Sequence, residues 1–150
     1  MIKKNIIIIS LIFLLSSCGF TPIYLKNTNV NFSIEQISYA GDRDLNNFLK
    51  TNLNQYKNNK TNNKIFIEAS SIYKKIILSK NKAGEVSDYQ IEAEVIFLIK
   101  PTNKKIKITE TKIMKSKDDK FEEARYERSI KQNFASSISN KLTSDLIANK

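Results

Sequence analysis

From Tyr89 to Ile99 every second residue is apolar: Tyr89, Ile91, Ala93, Val95, Phe97 and Ile99 share one side of an extended chain, and Asp88, Gln90, Glu92 and Glu94 share the other. A period of two held over that length excludes a helix and calls for a sheet with one buried face and one wet face. Residues 64–78 form a second long strand, joined to the first of these through Ser79-Lys-Asn-Lys-Ala-Gly84 as a hairpin. Pro101-Thr-Asn-Lys104 then turns the chain into a further strand over 105–114, with Ile106 and Ile108 in phase. Upstream, Val30, Phe32 and Ile34 alternate in a strand over 30–38, with a shift at Ile37 and a break at Gly41-Asp42.

Two helices complete the pattern. Over 42–56, Leu45, Phe48, Leu49, Leu53 and Tyr56 fall on one face, and Asp42 or Asp44 is placed to cap it. The Asn- and Lys-rich stretch 57–64 is a loop. Over 118–148, Ile130, Phe134, Ile138, Leu142 and Leu146 recur every four residues, and Asp118, Asp119, Glu122 and Glu123 suit the positive end of the helix. That stripe packs either on the sheet or on a partner helix, and core packing is the simpler expectation. The order β-α-β-β-β-α predicts an α+β two-layer sandwich: a four-stranded, mostly antiparallel sheet with two helices on one face, folded as a single domain over 30–150.

The N-terminus has a different character. Met1-Ile-Lys-Lys-Asn5 is positive, and the apolar run of residues 6–15, at about 1.5 Å each, spans only half of a bilayer core of about 30 Å. Residues 1–17 are therefore expected to be a signal peptide rather than a membrane span. Leu15-Ser16-Ser17-Cys18 resembles the lipobox of bacterial lipoproteins, in which the cysteine takes an S-diacylglycerol and, after cleavage, an N-acyl chain. The alternative is an ordinary secreted protein whose cysteine happens to lie there. In lipoproteins, glycine rather than aspartate after the cysteine, as in Gly19 here, favours the outer membrane. Residues 18–29, where Pro22 blocks a helix, read as a lipidated tether that docks through Phe20, Ile23 and Tyr24.

Charge and reactive groups narrow the function. The chain has 25 basic and 15 acidic residues, and 22 of the basic residues are Lys. An AT-rich coding sequence and selection for an anionic partner both account for that bias. Nucleic acid is not an expected partner, because basic residues are not clustered with aromatics, Arg forks are scarce and a secretion signal is present. There is no His and one Cys, so neither a zinc site nor a His-based triad is expected, and no cofactor beyond the lipid on Cys18. A carboxylate-only hydrolase would require groups such as Glu92, Glu94 and Glu110 to converge in a cleft. The expectation is a protein without enzymatic activity.

Cys18-Gly-Phe-Thr-Pro-Ile-Tyr24, the element order, and Glu122-Glu-Ala-Arg-Tyr-Glu-Arg-Ser-Ile130 at the start of the last helix together resemble the LptE family, the lipoproteins of lipopolysaccharide assembly, in its alphaproteobacterial branch. The Cys-Gly-Phe run is the most specific part, and the segment 115–121 is short for the family. The resemblance implies an outer-membrane lipoprotein that plugs the lumen of the β-barrel LptD, helps that barrel assemble, and assists insertion of lipopolysaccharide into the outer leaflet. A hydrophilic exterior suits a polar lumen. The alternative is a stand-alone periplasmic binding or scaffold lipoprotein.

Two surfaces are candidate sites. If the last three strands form a meander, Lys80 and Lys82 share one end of the sheet with Lys115, Lys117 and Lys120, which would suit lipid A phosphates or simply form a solvated pair of loops. At the other end, Ile65-Phe66-Ile67 and Val95-Ile-Phe-Leu-Ile99 are apolar on both faces. Helices cover only one face, leaving the second for the tether, a barrel wall or a lipid chain.

Overall fold

The computed structural model describes residues 30–148; the expected signal peptide, Cys18 and the tether lie outside the described residues. The chain runs β1 (Ser33–Gly41), α1 (Arg43–Leu53), a 3-10 turn (Asn54–Tyr56), β2 (Lys64–Lys80), β3 (Val86–Lys100), β4 (Lys104–Lys115) and α2 (Lys120–Ala148). The four strands lie in chain order, with β1 parallel to β2 and the other two pairs antiparallel, so β2, β3 and β4 form a meander. Both helices pack on one face of this open sheet, giving the expected α+β sandwich.

The strand alternation sets which face is covered. Ile65, Ile67 and Ala69 of β2 and Ile91, Ala93, Val95, Phe97 and Ile99 of β3 point under the helices and are buried. Leu45, Leu49 and Leu53 of α1 and Ile130, Phe134, Ile138 and Leu142 of α2 meet them. Each of the larger side chains among them contributes about 1.5–3 kcal/mol through its transfer from water. On α2 a second row of small residues, Ala135, Ser139 and Thr143, is also buried, so the covered stripe is wider than the four-residue repeat alone predicts.

β1 departs from its predicted bounds at both ends, for visible reasons. It begins at Ser33 rather than Val30 because side chains take the preceding carbonyls: the Thr61 hydroxyl donates to that of Asn31 and the Asn59 amide to that of Phe32. The break in alternation is a bulge between Ile34 and Gln36, where Glu35 is the extra residue that turns Ile37 and Tyr39 back towards the helices. β1 then continues to Gly41, whose φ is +96°. A Cβ at Gly41 would stand 1.8 Å from the Ser71 carbonyl oxygen, so only glycine lets β1 end against β2 there. Asp42 follows at once as the cap of α1, accepting from the Leu45 N–H at 2.8 Å. At the start of α2, Asp119 accepts from the N–H groups of Phe121 and Glu122.

Candidate functional site

The hairpin register carries the lysines to one end of the sheet. Lys80 stands opposite Val86, Asp88 stands opposite Lys115, and the Ser116 N–H donates to the Ser87 carbonyl at 2.8 Å. Lys80, Lys82, Lys115, Lys117 and Lys120 thus share a neighbourhood, but carboxylates arrive with them. Lys117 pairs with Glu122 at 3.3 Å and Lys120 with Glu123 at 3.2 Å. Asp88, beside Lys115, is held below the usual carboxylate range, first by the Ser79 hydroxyl at 2.5 Å and then by the Ser87 hydroxyl and the Lys115 charge. Glu85 closes the hairpin turn with Asn81, and Asp118 and Asp119 precede α2. Lys80, Lys82 and Lys115 have no ion-pair or ring partner among the described residues, and of the three Lys115 lies beside Asp88.

Beneath that end lies a polar core joining the sheet to α2. Glu123 is 5% exposed. It accepts from the Lys117 N–H, the Ser116 hydroxyl, Lys120 and Lys75, and these contacts, led by the backbone N–H, pull its carboxyl down to about 2. Glu127 takes the Tyr73 hydroxyl and Lys75, both at 2.9 Å. Burial, reinforced by Glu127, holds the Tyr73 phenol far above its ordinary range. Burial alone would lower Lys75, yet the two glutamates raise it. Lys131 sits 4.0 Å from the centre of the Tyr73 ring and 3.3 Å from Asp42, tying α1 into the same network. Glu122 and Glu123 lie in the first turn of α2, as expected for partners of the helix dipole, and Glu123 also joins β2, the turn after β4 and α2. No local signal marks that role, since Lys75 lies 48 residues away.

The carboxylates considered for hydrolysis are separated by the sheet. Glu92 and Glu94 lie on the uncovered face, where Glu94 pairs with Lys107 at 2.8 Å, while Glu110 lies on the helix side with Ser137 and Lys141, each at 2.6 Å. These three do not form a cleft. Among the described residues no group of His, Cys, Asp and Glu is arranged to hold a metal ion.

The face opposite the helices is apolar near the start of β1. Phe66 is 48% exposed there, whereas its neighbour Ile67 is 2% exposed beneath the helices. Leu98 and Ile96 of β3 follow diagonally from Phe66, opposite Glu68 and Ser70, on the rungs that hold Ser38 and Ala40 of β1. Two adjoining shallow grooves of about 270 and 340 Å³ run across this patch, sharing Ser38 and Glu68. The Lys100–Glu68 ion pair crosses the patch between Phe66 and Leu98.

A two-layer α+β sandwich with this strand order is shared with several solved bacterial proteins. The chain resembles rare lipoprotein B from Shewanella oneidensis at 13% identity, covering 76% of this chain and 95% of that one with a TM-score of 0.57. It is also similar to the uncharacterized lipoprotein B from Nitrosomonas europaea (16% identity, 79% and 86% covered, TM-score 0.54) and to a minor lipoprotein from Acinetobacter baumannii (14% identity, 74% and 94% covered, TM-score 0.50). At these identities the likeness shows a common fold. No protein-family model matches the sequence, and no curated protein matches it.

Proposed function

We propose that this chain is a lipid-anchored envelope protein of the LptE type, held in the outer membrane through Cys18, which seats in an LptD-like β-barrel and assists lipopolysaccharide insertion without catalysing a reaction. The observation that carries the reading is the coincidence of two independent features: a lipobox ending at Cys18, and a fold shared along nearly the whole length of proteins that are themselves described as lipoproteins. The polar outer surfaces of α2 and β4, lined with Lys, Arg and Glu, suit a water-filled lumen.

Recovery of the chain from membranes in mild detergent tests this reading. A stoichiometric large β-barrel partner supports it. A clean monomer favours the stand-alone periplasmic lipoprotein, a reading that the mixed charge of the lysine-bearing end also favours. Loss of an acyl mass in Cys18→Ala tests the anchor separately.

Within this reading Lys80, Lys82 and Lys115 are the better candidates for lipopolysaccharide phosphates, because Lys117 and Lys120 already face Glu122 and Glu123. Charge reversal of Lys80 and Lys82 is expected to weaken lipopolysaccharide binding more than reversal of Lys117 and Lys120. Equal effects would remove the distinction.

A further inference from the structure

The geometry points to an internal occupant for the apolar patch on the uncovered face: residues 20–25 of this same chain fold back and pack over Phe66, Leu98 and Ile96. The patch lies where β1 begins. Ser33 stands opposite Lys64, two rungs from the Gln36 and Phe66 pair, so the chain arrives near the edge of the patch. The four residues before Val30, Lys26-Asn-Thr-Asn29, are of the kind that reverse a chain. Behind them come Leu25, Tyr24, Ile23 and Phe20.

Lengths agree as well. The six residues from Leu25 back to Phe20 make five steps of about 17 Å in all, and five or six residues of β2 beyond Phe66 cover about the same distance. Leu25 then lies by Phe66, Ile23 by Leu98, and Phe20 towards Ile72, itself 48% exposed on that face. The grooves are shallow, with Gln36 and Ser38 along one side and Glu68 between Phe66 and Leu98, which suits an extended peptide rather than a bulky ligand. Polar side chains interleaved with Phe66, Leu98 and Ile96 leave little continuous apolar area that a second domain could bury.

This inference does not depend on lipid at Cys18 or on a barrel partner. If it holds, any anchor at Cys18 is fixed against the uncovered face instead of hanging on a loose leash.

Trypsin cleavage after Lys26, read by mass as a product beginning at Asn27, reports the contact in the full chain whether or not Cys18 is acylated. Docking requires slow cleavage, at least tenfold faster in Leu98→Asp and in Phe66→Ser but unchanged in Ile113→Asp, which alters the same face at its far end. Melting by circular dichroism confirms that each variant remains folded. Cleavage that is equally fast in the native chain and all variants overturns the proposal.

A second measurement stands independently of protease access. Ile23→Cys combined with Leu98→Cys is expected to form an intramolecular disulfide on mild oxidation, and Ile23→Cys with Ile113→Cys is not. Equal bridging of both pairs would mean a leash without a seat, and disulfide-linked dimers would mean that a second copy covers the face; either result overturns the proposal.

Discussion

The two ends of the sheet are held together in different ways. Near the start of β1, Ile65, Ile67, Val95, Phe97 and Ile99 are buried beneath the helices with no charged group among them. Towards the hairpin turn the same β2 alternation places Tyr73 and Lys75 on the helix side, and Glu123, Glu127, Lys131 and Asp42 answer them. One alternating pattern thus supports apolar cohesion at one end and ionic cohesion at the other. Apolar cohesion depends on volume and area; ionic cohesion depends on partners, pH and position, because a buried charge that loses its partner is left uncompensated.

The largest expected effect is at the apolar end. Phe97→Ala empties a fully buried site and should lower the unfolding free energy by about 3–5 kcal/mol in urea denaturation. At the ionic end Glu123→Gln should cost about 1.5–3 kcal/mol, since the buried carboxylate gives up its charge-assisted hydrogen bonds to the Lys117 N–H, the Ser116 hydroxyl and Lys75. A loss below 1 kcal/mol there would show that the network adds little and would break the comparison.

The same residue predicts a pH response. Its folded carboxyl lies at about 2 against an ordinary 4.5. A depressed carboxylate stabilises fully above the unfolded value, and that contribution disappears as pH falls through the folded one. Thermal melts should therefore fall between pH 5 and pH 2 in the native protein, with a shallower fall in Glu123→Gln.

Tyr73→Phe removes one hydrogen bond to Glu127 and should cost about 1–2 kcal/mol. The smallest effect is expected at Lys107→Ala on the uncovered face, where an exposed pair with Glu94 is worth under about 1 kcal/mol.

Most of the apolar end was legible in the sequence because its pattern is local. The period of two in β3 and the four-residue repeat of α2 identify the buried faces directly. The shift at Ile37 was visible as well, and the structure gives its cause as the bulge at Glu35. The later start of β1 was not legible, because it depends on the side chains of Asn59 and Thr61 claiming the carbonyls of Phe32 and Asn31 across the fold. The ionic end was hidden for the same reason: nothing near Tyr73 and Lys75 in the chain marks their partners, which α2 brings over them as Glu123 and Glu127. The meander places the five lysines at one end, while their pairing with carboxylates needed the start of α2 in three dimensions.

The parallel pairing of β1 with β2 has a mechanical consequence. Ser33 and Lys64 stand at one end of the sheet and the turn between β2 and β3 at the other. Tension between the N-terminal end of β1 and that turn runs along the strands and loads the rungs from Ser33 to Gly41 together, in shear. A pull across the sheet would instead open them one at a time. The same hydrogen bonds therefore make the domain stiff along its long axis and weaker across it.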